Sequence, residues 1–302
     1  MLLNVFSEQD CIEGRSVRKR LKKRLSEMTS SRPTIGIYNS FDVVGDIAIV
    51  KLNSSLNAQA KIAAEAIMNC NKGVRTVLAQ ESQIFGEYRL RRLTCIGGEN
   101  KTHTIHREHG CFFSVDLEKC YFSPRLSGER LRIAQLVESH ETVVNMFAGV
   151  GCFSIIIAKK MPTAKVYSID INPDAVGFLH KNIRINRVFR QVVPLLGDSK
   201  AIVEGSLQNI ADRVLMPLPE KALEYLPCAI SAIKVSGGWI HLHCFEHAAK
   251  TCESVEKAHT KIEQKLKNLK IDFEVPFSRV VRPVGPNWHQ VEVDVHVRSR
   301  EV

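Results

Sequence analysis

The feature that most limits how this chain can fold is the segment VVNMFAGVGCFS at 143–154. An apolar, strand-like run ends at two closely spaced glycines, Gly149 and Gly151, and an apolar helical pattern follows. A second strand-like run ends at Asp170, about 20 positions further on. A glycine turn of this kind lets a ligand approach the backbone, and the acid accepts hydrogen bonds from ribose hydroxyls. The segment predicts a Rossmann-like domain with an adenosine-type ligand.

A third strand-like run, VVPLLGDS, ends at Asp198, where an acid can bind an adenine amino group. Taken alone, the GxG turn is a weak signal, because it is also compatible with simple packing. The three strand ends together favour an adenosine-type ligand, but they do not separate a nicotinamide dinucleotide from S-adenosylmethionine. Ser154 stands where a third glycine would complete a pyrophosphate cradle, which favours S-adenosylmethionine.

The region 126–302 alternates strand-like and helix-like segments, which predicts a mostly parallel sheet with helices on both faces. We assign it as the ligand-binding domain. The fourth strand is placed in ADRVLMPLP, followed by a helix in EKALEYLPCAISAIK and a fifth strand in GGWIHLHCF. A long amphipathic helix and two further β runs, FEVPFSRVVRPV and HQVEVDVHV, come last. His241 and His243 share one strand face and are interpreted as core or pocket-edge residues.

The region 36–125 contains several strand-like segments and one helix-like segment, which predict a small α+β domain. Two short strands surround Gly45, a helix is expected at 58–70, and strands are expected at 74–80, 88–96 and 103–117. Residues 1–35 are separated as a basic N-terminal arm, because 15–25 carries seven basic residues in eleven. That segment is compatible with a solvated basic helix or with an arm that neutralises phosphates.

Net charge, the length of the apolar runs and the spacing of cysteines and histidines indicate which partners, membrane segments and metal sites to expect. A net charge of +10 suggests a polyanionic partner, with nucleic acid first and a membrane surface second. No apolar run reaches the roughly 20 residues of a membrane span, and MLLNVF is too short for a secretory signal. The nine cysteines lack metal-ligand spacing, and the three histidines between 103 and 109 alternate faces, so we expect no metal site. We expect a cytoplasmic protein.

Several segments taken together resemble the archaeal and eukaryotic tRNA (guanine-37-N1) methyltransferases and their wybutosine-pathway relatives. They are FAGVG, IDINPDAV, GDS, DRVLMPLPEKA and GGWIH in the second domain, and GEYRLRRL, YFSPRLSGER and PNWHQVEVDV elsewhere. The resemblance runs from about Phe41 to Val297. It implies a class I methyltransferase domain, S-adenosylmethionine as cofactor, and tRNA position 37, in the anticodon loop, as the target.

The resemblance also implies roles for particular residues. Glu129 of the GER sequence would be the general base that removes the guanine N1 proton, although an acid there also suits the first turn of a helix. Arg89 would stabilise charge on guanine O6. The residues expected around the cofactor and the base are Tyr121, Arg130, Asn145, Phe147, Gly149, Gly151, Asp170, Ile171, Asp198, Ser199 and Pro217.

The chain departs from the family pattern at two of these positions. The family usually has Asp at position 145, so Asn145 loses a charge opposite the methionine ammonium. It usually has an Asn-Leu-Pro motif where this chain has Pro217-Leu218-Pro219, and that Asn contacts the target base. Relatives that methylate both guanosine and the tricyclic imidazopurine derived from it resemble the proline variant. The base specificity is therefore open.

A further departure concerns the N-terminus, because family members carry a domain of about 60 residues that touches the tRNA elbow, and only 40 residues precede Phe41. We expect a monomeric tRNA N1-guanosine methyltransferase. The alternatives are an aminocarboxypropyl transferase of wybutosine synthesis, against which MPLPEKA argues, and a non-catalytic RNA-binding relative.

Overall fold

The computed structural model describes residues 41–51 and 57–299, with the backbone alone at 57–59. The described chain forms two compact units. One comprises the residues up to Glu108 together with Phe112–Pro124, and the other comprises His109–Cys111 and the residues from Arg125 onward. The basic segment 15–25 lies outside the described residues, so the three-part division of the chain stays a prediction.

The first unit is an α+β structure built on a four-stranded sheet of order β1-β2-β3-β4. Its apolar core joins the helix to the middle strands through side chains such as Ile67, Val50 and Val77. β5 and β6 form a separate two-stranded hairpin. The elements are β1 (Asp42–Val44), β2 (Ile47–Lys51), α1 (Asn57–Cys70), β3 (Thr76–Gln80), β4 (Leu93–Gly98), β5 (His103–Glu108) and β6 (Cys111–Asp116).

The strand predicted at 88–96 is wrong over its first half, because β4 begins only at Leu93. Phe85 pairs with Leu90 in an isolated antiparallel bridge, and the backbone turns between them. Arg89 has a φ of +56°, a left-handed conformation that interrupts an extended chain. Arg89 therefore lies in a tight turn and not on a strand.

The second unit contains a seven-stranded sheet of order β12-β13-β11-β10-β7-β8-β9. The elements are α2 (Ser127–Leu136), β7 (Thr142–Asn145), α3 (Cys152–Lys160), β8 (Lys165–Asp170), α4 (Pro173–Asn186), β9 (Val192–Leu196), α5 (Ser199–Ser206), β10 (Arg213–Met216), α6 (Ala222–Ala232), β11 (Gly238–His247), α7 (Thr251–Asn268), β12 (Phe273–Gly285) and β13 (Trp288–Val297).

Five neighbouring strands, β11 to β9 in the sheet order, are parallel, whereas β13 and β12 add to one edge in antiparallel orientation. This confirms the α/β, mostly parallel fold predicted from the sequence. Both edge strands carry proline: Pro194 in β9, and Pro276 and Pro283 in β12. β12 also pairs with β13 through three register shifts.

The sequence did not lead us to expect α5 (Ser199–Ser206), which lies between the third and fourth parallel strands. Asp198 caps this helix, because its Oδ1 accepts hydrogen bonds from the backbone N–H groups of Lys200 and Ala201. An Asp-Ser pair directly after a strand is a common helix start, so the signal was present in GDS. Among the described residues, no helix combines the length and apolar character needed to cross a membrane.

Candidate active site

The turn from β7 to α3 depends on glycine at two positions. Gly151 has a φ of +94°, and a Cβ placed on it would lie 2.4 Å from Cδ1 of Leu179. Gly149 has a φ of +57°, but a Cβ there would meet no atom of residues 41–51 or 57–299 within 4 Å. Gly151 therefore allows close packing against α4, whereas Gly149 borders open space that a ligand can occupy.

Asp170 ends β8 and holds this turn in place. Its Oδ2 accepts a 2.6 Å hydrogen bond from the backbone N–H of Gly149, and its Oδ1 accepts one from Asn172. Burial raises the pKa of the Asp170 carboxyl above its ordinary value, although these two hydrogen bonds oppose the shift. A carboxylate has about four acceptor sites, so two remain for ribose hydroxyls. Ile171, the next residue, is half-buried.

Asp198, two residues beyond the end of β9, is held by a residue that sequence reasoning missed. The hydroxyl of Tyr225 on α6 donates to Oδ2 of Asp198 over 2.7 Å. Burial alone would raise the pKa of Asp198, but the hydrogen bonds from Tyr225 and from the backbone of Lys200 lower it. The Tyr225 ring contacts Phe147 edge to face, with centroids 5.2 Å apart. Nothing local in the α6 sequence pointed to this contact.

Asn145 and Ser199 both fix the carboxyl end of β7. The Asn145 side chain is fully buried, where it donates to the hydroxyl of Ser154 and accepts from the backbone N–H of Phe147. The hydroxyl of Ser199 donates to the carbonyl of Met146. Both ends of the Asn145 amide are thus engaged inside the protein, so its contact with a cofactor stays a prediction.

Neighbouring parallel strands end at one edge of the sheet, and β10, β7, β8 and β9 are neighbours in that order. The predicted cofactor residues on this edge are Asn145, Phe147, Gly149, Gly151, Asp170, Ile171, Asp198, Ser199 and Pro217. Pro217 is half-buried and follows the last residue of β10 directly. The open space beside Gly149 and the two carboxylates fit the adenosine part of S-adenosylmethionine.

Glu129 lies on α2 of the same unit, within a buried network of charges. Its side chain is 0% exposed, and Arg132 donates to both of its carboxylate oxygens at 2.9 Å. Arg279 on β12 donates to Oε2 over 2.8 Å. Burial alone would raise the pKa of Glu129, but hydrogen bonds from Glu292 and Arg132 outweigh it and lower the pKa. Glu129 is therefore a carboxylate at neutral pH.

Two cross-strand pairs between β11 and β13 extend this network. His241 lies opposite Asp294, and His243 lies opposite Glu292. Arg132 donates to both oxygens of Asp294, at 2.7 and 3.0 Å. Sequence reasoning placed the two histidines on one strand face, which is correct, but it did not identify the acids or the arginines that face them.

Glu129, His243 and Glu292 offer three buried ligand atoms within 4.8 Å of one another. Donor spacing of this kind would suit a cation. However, the guanidinium groups of Arg132 and Arg279 both lie against the two carboxylates and already supply positive charge. We therefore interpret the cluster as a network of ion pairs and hydrogen bonds.

Three further predicted site residues, Arg130, Arg89 and Tyr121, lie neither at the carboxyl edge of the sheet nor among the ion pairs described for Glu129. Arg130 is buried on α2, with its guanidinium 6.0 Å from the centre of the Phe153 ring. Arg89 and Tyr121 belong to the first unit, where the Arg89 guanidinium lies 4.2 Å from the centre of the Tyr121 ring. This contact is a cation–π interaction, which orients the Arg89 guanidinium.

The first unit also contains a wide groove of about 750 Å³ between the β1–β2 turn and β5. Basic and hydrogen-bonding side chains line it, including Lys101, His103, His106 and Arg107. Lys101 is anchored by ion pairs to Asp46 and Glu99, each with an N–O distance of 2.7 Å.

The sequence matches two family models. The TRM5/TYW2 methyltransferase domain matches residues 104–274, and the TYW2 N-terminal domain matches residues 17–102. The second match begins inside the segment that we separated as a basic arm. Together the two models span most of the chain.

Relatives and solved structures agree with these matches. A tRNA (guanine(37)-N(1))-methyltransferase Trm5b from Pyrococcus abyssi is 41% identical over 85% of this chain and 74% of its own length. A tRNA 4-demethylwyosine(37)-methyltransferase Taw21 from Saccharolobus solfataricus is 34% identical over 92% of this chain and 98% of its own. The complex of aTrm5 with tRNALeu superimposes with a TM-score of 0.77 at 33% identity, over 94% of this chain and 77% of that one.

A structure of Methanocaldococcus jannaschii TYW2 in complex with AdoMet superimposes with a TM-score of 0.63 at 26% identity. It covers 86% of this chain and all of that one. The residues at the carboxyl edge of the sheet fit the same cofactor. The chain therefore belongs to the TRM5/TYW2 methyltransferase family of S-adenosylmethionine-dependent enzymes that act on tRNA.

Proposed function

We propose that this chain methylates N1 of guanosine at position 37 of tRNA. The observation that carries the proposal is Glu129, a buried carboxylate that arginines keep ionised, so that it holds no proton of its own before substrate binds. Guanine N1 bears a proton that must leave as the methyl group arrives, so N1 methylation needs such an acceptor. The 41% identity to a methyltransferase of this specificity supports the same assignment.

The carboxyl edge of the sheet would hold S-adenosylmethionine. Asp170 would accept from the ribose hydroxyls and Asp198 from the adenine amino group, with Phe147 and Tyr225 beside the adenine. When bound, the cofactor supplies an electrophilic methyl group on a sulfonium. The protein positions the cofactor. Asp170 is held at the end of β8, Tyr225 orients the Asp198 carboxylate, and the Gly149–Gly151 turn leaves room for the adenosine.

Glu129 would take the N1 proton on a carboxylate oxygen. Its three hydrogen bonds from two arginines keep it ionised but also make it a weak base. Arg279 is the more accessible of the two arginines, with a side chain 32% exposed against 20% for Arg132. Guanine N1 can therefore reach Oε2 most directly if Arg279 moves aside when substrate binds.

Arg89 would stabilise the negative charge that develops on guanine O6 as N1 loses its proton. A guanidinium suits this role because it remains charged and donates in a fixed plane. Stacking on Tyr121 limits the orientations that the group can adopt. Replacing Arg89 by Lys would keep the charge but lose the planar donor, so we expect a lower rate of methyl transfer.

Two basic regions would bind tRNA phosphates. One is the groove lined by Lys101, His103, His106 and Arg107, and the other is the basic segment 15–25. Each phosphate contact by Lys or Arg contributes about 0.7–0.9 to the slope of log affinity against log salt. Deleting residues 1–30 should flatten that slope. Equal slopes with and without these residues would show that the segment does not touch tRNA.

The test of the proposed function is mass spectrometry of nucleosides from tRNA incubated with the protein and S-adenosylmethionine. We expect 1-methylguanosine at position 37. Transfer of an aminocarboxypropyl group would support the related transferase activity and contradict the proposal. No modification, together with intact tRNA and cofactor binding, would support a non-catalytic RNA-binding protein.

Pro217 favours a second substrate. A proline at this position, directly after β10, has no side-chain amide to hydrogen-bond guanine and would present an apolar wall to the target base. Apolar walls discriminate weakly against a larger base. We therefore propose that the enzyme also accepts the tricyclic imidazopurine at position 37, a base class related to the 4-demethylwyosine for which Taw21 is named.

The Pro217→Asn variant tests this second substrate. Both tRNAs are offered to the wild type and to the variant, and kcat/KM is compared. We expect the wild type to use both bases and the variant to shift towards guanosine. A wild type that ignores the tricyclic base, or an unchanged ratio in the variant, would remove Pro217 from specificity.

A further inference from the structure

Within the part of the chain that the structure describes, the network around Glu129 holds more negative groups than positive ones. Three carboxyl groups, those of Glu129, Glu292 and Asp294, have side chains that are 0%, 1% and 6% exposed. Two guanidinium groups, Arg132 and Arg279, are shared among them. If all three acids were ionised, the cluster would carry a net charge of −1 in the interior. An uncompensated buried charge is costly, so one retained proton is favoured.

His241 does not supply the missing positive charge. Arg213 donates to Nε2 of His241 at 2.6 Å, so that nitrogen must be an acceptor. The proton of the ring therefore lies on Nδ1, which donates to Asp294 over 2.6 Å. Arg213 itself is paired through two hydrogen bonds with Glu141. His241 is thus neutral, and burial lowers its pKa in agreement.

His243 is neutral for the same kind of reason. Arg282 donates to Oε1 of Gln290, which fixes the orientation of that amide. The Gln290 Nε2 group then donates to Nδ1 of His243 over 2.7 Å. The ring proton must lie on Nε2. Burial lowers the pKa of His243 to about 4, so the ring stays neutral at physiological pH.

The distribution of donors identifies which acid keeps the proton. Asp294 accepts from Arg132 twice and from His241, and Glu129 accepts from Arg132 twice and from Arg279. Glu292 receives its arginine contacts on Oε1 alone, from Arg279 at 2.8 Å and Arg132 at 3.0 Å. Its Oε2 is buried and receives no hydrogen bond from any described residue.

We propose that Glu292 is a protonated carboxylic acid at neutral pH, whose Oε2 hydroxyl donates to Glu129 and positions it as the base. Glu292 is a positioning residue, because it acts on the substrate only through Glu129. The positioning role of Glu292 in catalysis rests on the proposed function, whereas its protonation does not. The groups that face Glu292 are Glu129 and Arg132 from α2, His243 from β11, Arg279 from β12 and Asp294 from its own strand.

The buried position of Glu292 supports the same assignment. Burial raises the pKa of Glu292, and its hydrogen bond with the Glu129 carboxylate raises it further. Two acids in contact share protons as a pair, with one ionised and one neutral. Glu129, which accepts three arginine hydrogen bonds, is the ionised partner.

Infrared difference spectroscopy tests the proton directly. The wild type at neutral pH should show a carbonyl band of a protonated carboxyl group that is absent from Glu292→Gln. The matched control is Glu246→Gln, because Glu246 is also buried on a strand but both its oxygens accept from Lys261. The control should retain the band. A wild type without the band, or a band lost in the control and kept in Glu292→Gln, overturns the proposal.

The pH dependence of unfolding gives a second readout. Glu292 would stay protonated in the folded state but ionise in the unfolded state over the range from about pH 5 to 8. The free energy of unfolding should therefore fall as the pH rises through this range. The Tm of the wild type should therefore fall relative to that of Glu292→Gln across this range. A constant difference would show that Glu292 is ionised in the folded protein.

Methyl transfer separates this inference from the proposed function. Glu292→Gln keeps a neutral donor, so its kcat should stay within about threefold of the wild type, whereas Glu292→Ala should lower kcat about tenfold or more without changing KM for the cofactor. Loss of kcat in both variants, with tRNA and cofactor binding intact, overturns the positioning role. If the wild type transfers no methyl group, the proposed function fails while the infrared result on Glu292 still stands.

Discussion

The hydroxyl of Tyr225 donates to Asp198 across the gap between α6 and the end of β9, over 2.7 Å. This bond orients the carboxylate that we assign to the adenine amino group. Tyr225→Phe should weaken S-adenosylmethionine binding about 3–10-fold, since a hydrogen bond contributes roughly 1 kcal/mol. Calorimetry measures the change. Tyr167→Phe on β8 removes a hydroxyl elsewhere in the sheet and should leave the affinity unchanged; equal losses would contradict the assignment.

Glu129→Gln should lower the single-turnover rate of methyl transfer about 100-fold or more, the range for a lost general base. Binding of tRNA and cofactor should change little. The variant also leaves the half-buried guanidinium groups of Arg132 and Arg279 without one anion, which destabilises the fold by on the order of 3 kcal/mol. Glu141→Gln is the control, because Glu141 is a half-buried acid that pairs with Arg213, and Arg213 connects to Glu129 through His241, Asp294 and Arg132 rather than directly. It should destabilise similarly but keep the rate; a slow Glu141→Gln would point to folding as the cause.

Gly151→Ala should destabilise the protein more than Gly149→Ala. Both residues have positive φ, so alanine costs roughly 1–2 kcal/mol at either site. At Gly151 the new Cβ also lies 2.4 Å from Cδ1 of Leu179, whereas at Gly149 it meets no described atom within 4 Å. Urea unfolding of the two variants measures the difference. Equal losses of stability would mean that α4 yields to the added methyl group.

Acidification should destabilise the fold through His243. Burial lowers its pKa to about 4 in the folded state, against 6.5 for an ordinary histidine. Between these pH values the unfolded chain binds a proton that the folded chain does not, so stability is lost as pH falls from 6.5 towards 4. The full loss is about 3 kcal/mol. Urea unfolding of the wild type and of His243→Gln at several pH values measures this loss of stability. If stability falls equally steeply with pH in both proteins, His243 is not its source.

The predictable part of the structure was the part with a strong periodic signal. The Gly149–Gly151 turn, Asp170 and Asp198 all follow strand-like runs, and parallel strands bring their carboxyl ends to one edge. Arg89 was misplaced because YRLRRL alternates like a strand, while its left-handed turn carries no glycine at that position.

The network around Glu129 was not predictable from local pattern. The run QVEVDVHV in β13 alternates polar and apolar residues, which is typical of a strand with one face in water. In the structure both faces are buried, because Arg132 on α2 covers Glu292 and Asp294. Arg132 and Asp294 are 162 residues apart, and no spacing rule connects them.

The prolines on the outer strands have a consequence for how copies of this protein meet. An exposed sheet edge is a template on which a second chain can add a strand. Pro194 in β9 lacks the N–H that such pairing needs, and Pro276 and Pro283, with the register shifts of β12, interrupt the opposite edge. Both rims of the seven-stranded sheet therefore resist strand addition, so crowded or partly unfolded copies are protected against aggregation by this route.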